Sequence, residues 1–189
     1  MKPRDKFLFY KYLDKAIHYL EYGSGGSTVQ ASKRPGLRTL VSVESDPDWY
    51  ANVKRVVAPS SVRSDRLLHI AMDTKPNTWG YPGPSSSRED WATYSRVIQT
   101  LDPALRASID TVLIDGRFRV ACCLNCYDCV GDDCRILFDD FLDRSQYHVV
   151  LDFYDIVEQT ADKTLVVLKK KQGVSPPAAL IAQYEAVAN

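Results

Sequence analysis

Five apolar runs in this chain each end in an acid, and segments of helical spacing stand between them. "AIHYLEYG" carries Glu21, "RTLVSVESD" Glu44, "DRLLHIAMD" Asp73, "SIDTVLIDG" Asp115, and "CRILFDDF" Asp139 and Asp140. Strands that alternate with helices bury both faces of a sheet when the strands run parallel and the helices cover each side. The final stretch, "YHVVLDFYDIVEQTADKTLVVLKKK", holds two more strands without a helix of comparable length between them, so they are expected to pair antiparallel. The pattern predicts an α/β, Rossmann-like doubly wound sheet. It should be mostly parallel and seven-stranded, with an antiparallel last strand.

The 189 residues suffice for one domain spanning 1–189. Within it we expect a leading amphipathic helix over 1–18, with Phe7, Tyr10, Leu13 and Ile17 at helical spacing. An inserted loop is expected over 74–91, and a tail over 172–189 that ends in the short helix "AALIAQYEAVA". "PDWYANVKRVV" reads as a helix opened by Pro47, where proline is tolerated. "WATYSRVIQTL" and "RVACCLNCYDCV" also have helical spacing.

Charge and hydropathy narrow the function classes. Lys plus Arg and Asp plus Glu each number 24, so no net basic charge points to nucleic acid. No apolar run is long enough to cross a bilayer, and Asp5, Lys11 and Asp14 interrupt any signal-peptide core. The expectation is a soluble cytoplasmic protein acting on a small molecule, with neither nucleic acid nor membrane as partner.

In an open doubly wound sheet, ligands bind beyond the carboxyl ends of the strands. There the first run meets "GSGGST", in which the backbone of Gly23, Ser24 and Gly25 can approach a ligand closely. Glu44 follows Gly23 by about 20 residues, the spacing at which a carboxylate accepts both hydroxyls of a ribose. The stretch departs from G-x-G-x-x-G, because Thr28 occupies the place of the third small residue.

The ordered set "LEYGSGGST", "VSVESD", "HIAMD", "TVLIDGRF" and "ILFDDF", closed by "YHVVLDFY" and "KTLVVLKK", resembles class I S-adenosylmethionine-dependent methyltransferases, and most of all their small methyltransferase-like members. The likeness runs from about Ala16 to Lys171. It implies S-adenosyl-L-methionine as cofactor and methyl transfer as the reaction. By this resemblance Gly23, Ser24 and Gly25 line the methionine part, with Glu21 close beneath. Glu44 holds the ribose and Ser45 sits beside the adenine. Asp73 accepts from the adenine amino group, Met72 packs on the ring, and Asp115 faces the reacting end, where Asp115 and Asp140 are the catalytic candidates.

Neighbouring strands should bring Asp115, Asp139 and Asp140 together, and three hard oxygen ligands suit Mg²⁺. This is similar to the metal-dependent O-methyltransferases. Those enzymes tend to place a lysine base shortly after the first acid, whereas this chain reads Asp115-Gly116-Arg117-Phe118-Arg119. Arginine is a poor proton acceptor. The alternative is a turn whose acids are neutralised by Arg117 or Arg119.

Cys122, Cys123, Cys126, Cys129 and Cys134 leave two readings open: apolar packing on a helix face, or a metal or redox cluster. His18 and His69 read as structural, and His148 is expected to begin strand six. In the long loop, Trp79 and Tyr81 are aromatic anchors, and Arg88, Tyr94 and Arg96 are available to bind an acceptor. The substrate candidates are Trp79, Tyr81, Arg88 and Arg117. An acceptor pocket would draw on this loop, the leading helix and the segment after strand five. Two other functions compete with methyl transfer: a non-catalytic or differently acting nucleotide-binding protein on the same fold, and a nicotinamide-dependent oxidoreductase.

Overall fold

In the computed structural model, which describes residues 3–57, 62, 64–76 and 78–188, seven strands form one sheet in the order β3-β2-β1-β4-β5-β7-β6. The strands are β1 (His18–Tyr22), β2 (Thr39–Glu44), β3 (Ser64–His69), β4 (Thr111–Ile114), β5 (Arg135–Asp139), β6 (Tyr154–Gln159) and β7 (Leu165–Lys170). The pairs among β1 to β5 are parallel, and β7 runs antiparallel between β5 and β6. The strand order reverses between β1 and β4, which makes their carboxyl ends the switch point at which a crevice opens.

The central strands β2 and β4 are buried along their whole length, as parallel strands under two helical layers must be. On one face Tyr22, Val43, Val112, Ile114 and Phe138 pack with α7 (Arg119–Cys126) and with α4 (Arg88–Ser95). On the other, Tyr19, Leu40, Leu113 and Leu137 pack with α1 (Asp5–Leu13). β3 lies at the edge with charged, exposed Asp65 and Arg66, a composition that discourages pairing with another chain.

Several boundaries differ from the sequence reading. The leading helix stops at Leu13, and its buried face is Asp5, Leu8, Phe9 and Leu13, while Phe7 and Ile17 are exposed. β3 ends at His69 rather than at Asp73. Its partner β2 ends at Glu44, and after the bond from Ile70 N–H to the Glu44 carbonyl the edge strand has nothing left to pair with. His148 begins no strand. It lies in a 3₁₀ segment, Ser145–Asp152, that buries Tyr147 and Val150 three residues apart, the period of that helix.

The helix expected from Trp91 breaks at Arg96 into α4 and α5 (Val97–Thr100). The Tyr22 hydroxyl bridges the break, donating to the Ser95 carbonyl and accepting from Ile98 N–H. Asp102 caps a further short helix, α6 (Pro103–Ser108), while α2 (Gly26–Ala31) and α3 (Pro47–Val57) follow β1 and β2. Arg96 is not available to an acceptor, because its guanidinium grips the buried Glu185 with bonds of 2.7 and 2.6 Å. That pair fastens the C-terminal helix α8 (Ala178–Glu185) against α4 and α7.

The cysteines follow the packing reading. Cys122, Cys123 and Cys126 lie fully buried in α7, Cys134 is buried at the foot of β5, and Cys129 is half-buried. Burial pushes the thiols above their ordinary range, so they stay protonated and apolar in the fold. Among the described residues no group of three or more His, Cys, Asp or Glu side chains is placed to hold a metal ion. No helix among them is long and apolar enough to cross a membrane.

Candidate functional site

The carboxyl ends of β1, β2, β4 and β5 open into a cleft of about 1090 Å³. Two glycines on its floor have different causes. Gly23 stands at φ +93°, in the left-handed region, and a Cβ there would lie 2.7 Å from both Cα and N of Gly116. The ends of β1 and β4 therefore touch backbone to backbone, and the protein's own packing demands glycine. Gly26 also lines the cleft, but a Cβ added there would meet nothing within 4 Å. No neighbour in the fold requires that residue to be bare, so the vacant space is available to a ligand. Gly26→Val is expected to keep a melting temperature within a few degrees of wild type, since it neither strains the backbone nor collides. It should nonetheless weaken S-adenosylhomocysteine at least about tenfold, about 1.4 kcal/mol; unaltered affinity by calorimetry would remove Gly26 from the ligand's path.

Thr28 accounts for the departure from the dinucleotide glycine pattern. Its hydroxyl accepts from Gly25 N–H at 2.7 Å and donates to the Glu21 carboxylate. Glu21 is fully buried and also accepts from the Ser42 hydroxyl at 2.7 Å and the Tyr19 hydroxyl at 2.9 Å. Burial raises its pKa, and the hydroxyl donors oppose that shift. Glu21 thus lies beneath the turn and braces it through Thr28, without lining the cleft.

Glu44 does line it. One oxygen accepts from the backbone N–H of Ser45 (2.8 Å) and Asp46 (2.9 Å), and the other from Ser24 N–H (3.2 Å). An ionised carboxylate has about four acceptor positions, so this one is fixed in place with capacity left for a ligand hydroxyl. Burial raises its pKa and the three N–H donors pull it back. Trp49, which the sequence reading did not single out, donates from Nε1 to the Ser24 carbonyl at 2.7 Å and packs beside Gly25. The signal for it was Asp46, whose carboxylate accepts from Trp49 N–H and sets the indole on the first turn of α3, next to the strand ends.

At the other end of the cleft stand Asp115, Asp139 and Asp140. The expected cation site is not formed by them. A guanidinium already occupies the centre: Arg119 donates to the carbonyls of Gly116 (2.9 Å), Asp139 (2.6 Å) and Asp115 (3.2 Å) and to the Asp115 carboxylate (3.2 Å). It also lies 3.5 Å from the Asp140 carboxylate, which Arg144 holds at 3.0 Å. Asp139 is pushed up to about 7, first by burial and then by the Asp115 charge, with which it shares a hydrogen bond. The pair therefore binds one proton near neutrality. Backbone strain gathers here: Trp79 (φ 58°) and Asp140 (φ 57°) line the cleft, and Phe118 (φ 54°) sits between the lining residues Arg117 and Arg119.

Other expected site residues fall elsewhere. Met72 is buried in the core, and Asp73 turns away from the cleft to accept from Ser85 N–H at 2.8 Å. Both follow from the early end of β3, which hands them to the inserted loop. Tyr81 is sandwiched by Lys75 and Arg117 outside the cleft, Arg88 is exposed at the start of α4, and Tyr94 lines the floor but is almost wholly buried. Arg117 and Trp79 do border the cleft. So do Lys6, Phe9 and Tyr10 of α1, of which the sequence named only Tyr10, and that for its helical spacing. A buried tether holds that helix over the strand ends: the Thr164 hydroxyl donates to Asp5 at 2.6 Å, next to the register pair Asp139–Leu165.

A seven-stranded sheet of this order with an antiparallel seventh strand is the class I methyltransferase-like fold, and here it opens at its switch point onto a bare glycine turn and the fixed carboxylate that ends β2. The chain is similar to the crystal structure of a methyltransferase-like protein from Silicibacter pomeroyi: TM-score 0.84 and 26% identity, over 100% of this chain and 96% of that one. It shares the fold with a mutant of MtNAS in complex with S-adenosylmethionine, at TM-score 0.55 and 14% identity, covering 92% of this chain and 63% of that one. It also shares it with an RNA methyltransferase from Salinibacter ruber in complex with S-adenosyl-L-homocysteine, at TM-score 0.50 and 12% identity, over 95% and 97% of the two chains. No protein-family model matches the sequence, and no curated protein matches it.

Proposed function

We propose that this chain transfers a methyl group from S-adenosylmethionine to an oxygen of a small-molecule acceptor. The observation that carries the reading is the cleft's division into two chemically distinct ends. One end has the bare turn at Gly26 and the fixed carboxylate of Glu44, and the other has a proton-sharing carboxylate pair.

S-adenosylmethionine, when bound, supplies a methyl group already activated on a positively charged sulfur. What remains for the protein is to orient, to exclude water and to take a proton. Glu44 accepts from the ribose hydroxyls, and the backbone of Gly23 to Gly26 accommodates the amino-acid part. The Asp115–Asp139 pair accepts the proton that a hydroxyl acceptor gives up as its oxygen gains the methyl carbon. Arg119, fixed by four hydrogen bonds and an ion pair to Asp140, holds the Asp115 carboxylate and the Asp139 backbone in place and offsets the repulsion among the acids. The acceptor lies against Lys6, Phe9 and Tyr10, with Arg144 beyond. These walls come from the leading helix and the segment after β5, and they favour a small, partly apolar acceptor over a polymer.

Calorimetric titration with S-adenosylmethionine, S-adenosylhomocysteine and NAD in separate runs tests the reading. The first two are expected to bind and NAD is not; the reverse order would overturn it. Binding without turnover of any hydroxyl compound would favour a non-catalytic nucleotide-binding protein. Glu44→Ala is expected to weaken S-adenosylhomocysteine by on the order of 1.5–3 kcal/mol, the range for hydrogen bonds to a charged acceptor. Wild-type affinity in that variant would take Glu44 out of the ribose site.

A further inference from the structure

Trp79 is the most exposed of the large apolar side chains described, at 87%, and yet it borders the cleft. Its backbone lies in the left-handed region at φ 58°, where a bulky residue is an outlier, and Gly80 follows at φ 73°. The conformation is held from outside the loop. Arg117, just past β4, donates from Nε to the Trp79 carbonyl (3.0 Å) and from Nη2 to the Thr78 carbonyl (2.9 Å), with its guanidinium over the Tyr81 ring at 5.7 Å. A fork-shaped cation thus fixes an exposed indole in a strained turn. The apolar core gains nothing from that placement.

The position of Gly80 shows which end of the cleft the indole serves. A Cβ on Gly80 would lie 3.2 Å from the Ser45 hydroxyl oxygen and 3.8 Å from a Glu44 carboxylate oxygen. The turn that carries Trp79 therefore meets the Glu44 end of the cleft. Asp73 has turned out of the cleft, so this end needs another means of holding a flat base. Indole faces stack on nucleobases, and that contact tolerates the absence of a specific hydrogen bond.

We propose that Trp79 is a binding residue for the cofactor, closing the adenosine half of the cleft as an aromatic wall, and that Arg117 is the positioning residue that holds it there. The proposal rests on the S-adenosylmethionine reading above and assigns Trp79 to the cofactor in place of the acceptor role expected from sequence.

The test is calorimetry of S-adenosylhomocysteine and of methylthioadenosine, which lacks the amino-acid part, against wild type, Trp79→Ala, Trp79→Phe and Arg117→Met. Trp79→Ala should weaken both ligands at least tenfold and by the same factor, and Trp79→Phe should restore most of the loss. Arg117→Met should weaken both by several-fold. With only three tryptophans in the chain, ligand-induced quenching of intrinsic fluorescence should fall sharply in Trp79→Phe although the ligand still binds. Wild-type ligands that bind within twofold as tightly to Trp79→Ala would overturn the proposal and leave the cofactor reading standing. A wild-type protein that binds neither ligand would overturn both.

Discussion

Gly23→Ala is expected to cost the fold about 2–5 kcal/mol, a large share of the roughly 5–15 kcal/mol that holds a domain folded. Two penalties add. An L side chain at φ +93° carries roughly 1–2 kcal/mol of backbone strain. The new Cβ would also press on Gly116 at 2.7 Å, where overpacking costs about 1–3 kcal/mol and the contact is backbone that cannot rotate away. Urea denaturation followed by circular dichroism should show the midpoint collapse, or no folded protein at all. A midpoint unchanged from wild type would mean that β1 and β4 do not meet at their ends as described. Together with the tolerated Gly26→Val, this variant separates the glycine the fold requires from the one a ligand requires.

Asp139→Asn is expected to lower turnover by about 10²–10⁴, the usual worth of a positioned proton acceptor. It should leave S-adenosylhomocysteine affinity within about tenfold, because Glu44 stands at the other end of the cleft. In wild type, activity should rise with pH through about 7, as the carboxylate pair gives up its shared proton and becomes able to accept another. Stability should move the opposite way. Between the ordinary aspartate value and about 7 the folded protein binds more protons than the unfolded chain, so this site's contribution falls as pH rises. Asn cannot be charged, so the variant should gain on wild type by on the order of 2–4 kcal/mol at pH 8 and by little at pH 4. Urea melts at the two pH values measure this; a gain that is equal at both would show that Asp139 carries no buried charge. Full turnover in the variant would remove the pair from proton transfer.

The sheet could be read from sequence because parallel strands buried on both faces leave mostly apolar runs, with segments of helical spacing between them. Where β3 stops could not be read in the same way. "HIAMD" is apolar enough to continue a strand, but an edge strand lasts only as long as its one neighbour, and β2 is finished at Glu44. The apolar run "YHVV" misled for a related reason: its burial repeats every third residue, which a period-two reading does not detect. In the site, the strand-end positions of Glu44 and Asp115 on the cleft were legible. Trp49, Lys6 and Tyr10 were not, because their relevance depends on how helices α1 and α3 roll against the sheet. Of the two readings of the three acids, the arrangement follows the one in which an arginine neutralises them, with Arg119 between Asp115 and Asp140; spacing named Arg117 and Arg119 alike and did not choose between them.

The cysteine-lined helix α7 has a consequence for the life of the protein outside its folded state. Burial silences the four thiols at positions 122, 123, 126 and 134 by keeping them protonated and out of reach. Unfolding returns them to ordinary acidity within a few residues of one another, where a chain that stays open long enough in the presence of an oxidant can close a short loop between two of them. The chain thus carries its own ratchet. Each opening of the crossover between β4 and β5 in an oxidising solution risks a bridge absent from the folded protein, and what limits its working lifetime there is how often and how long that crossover opens.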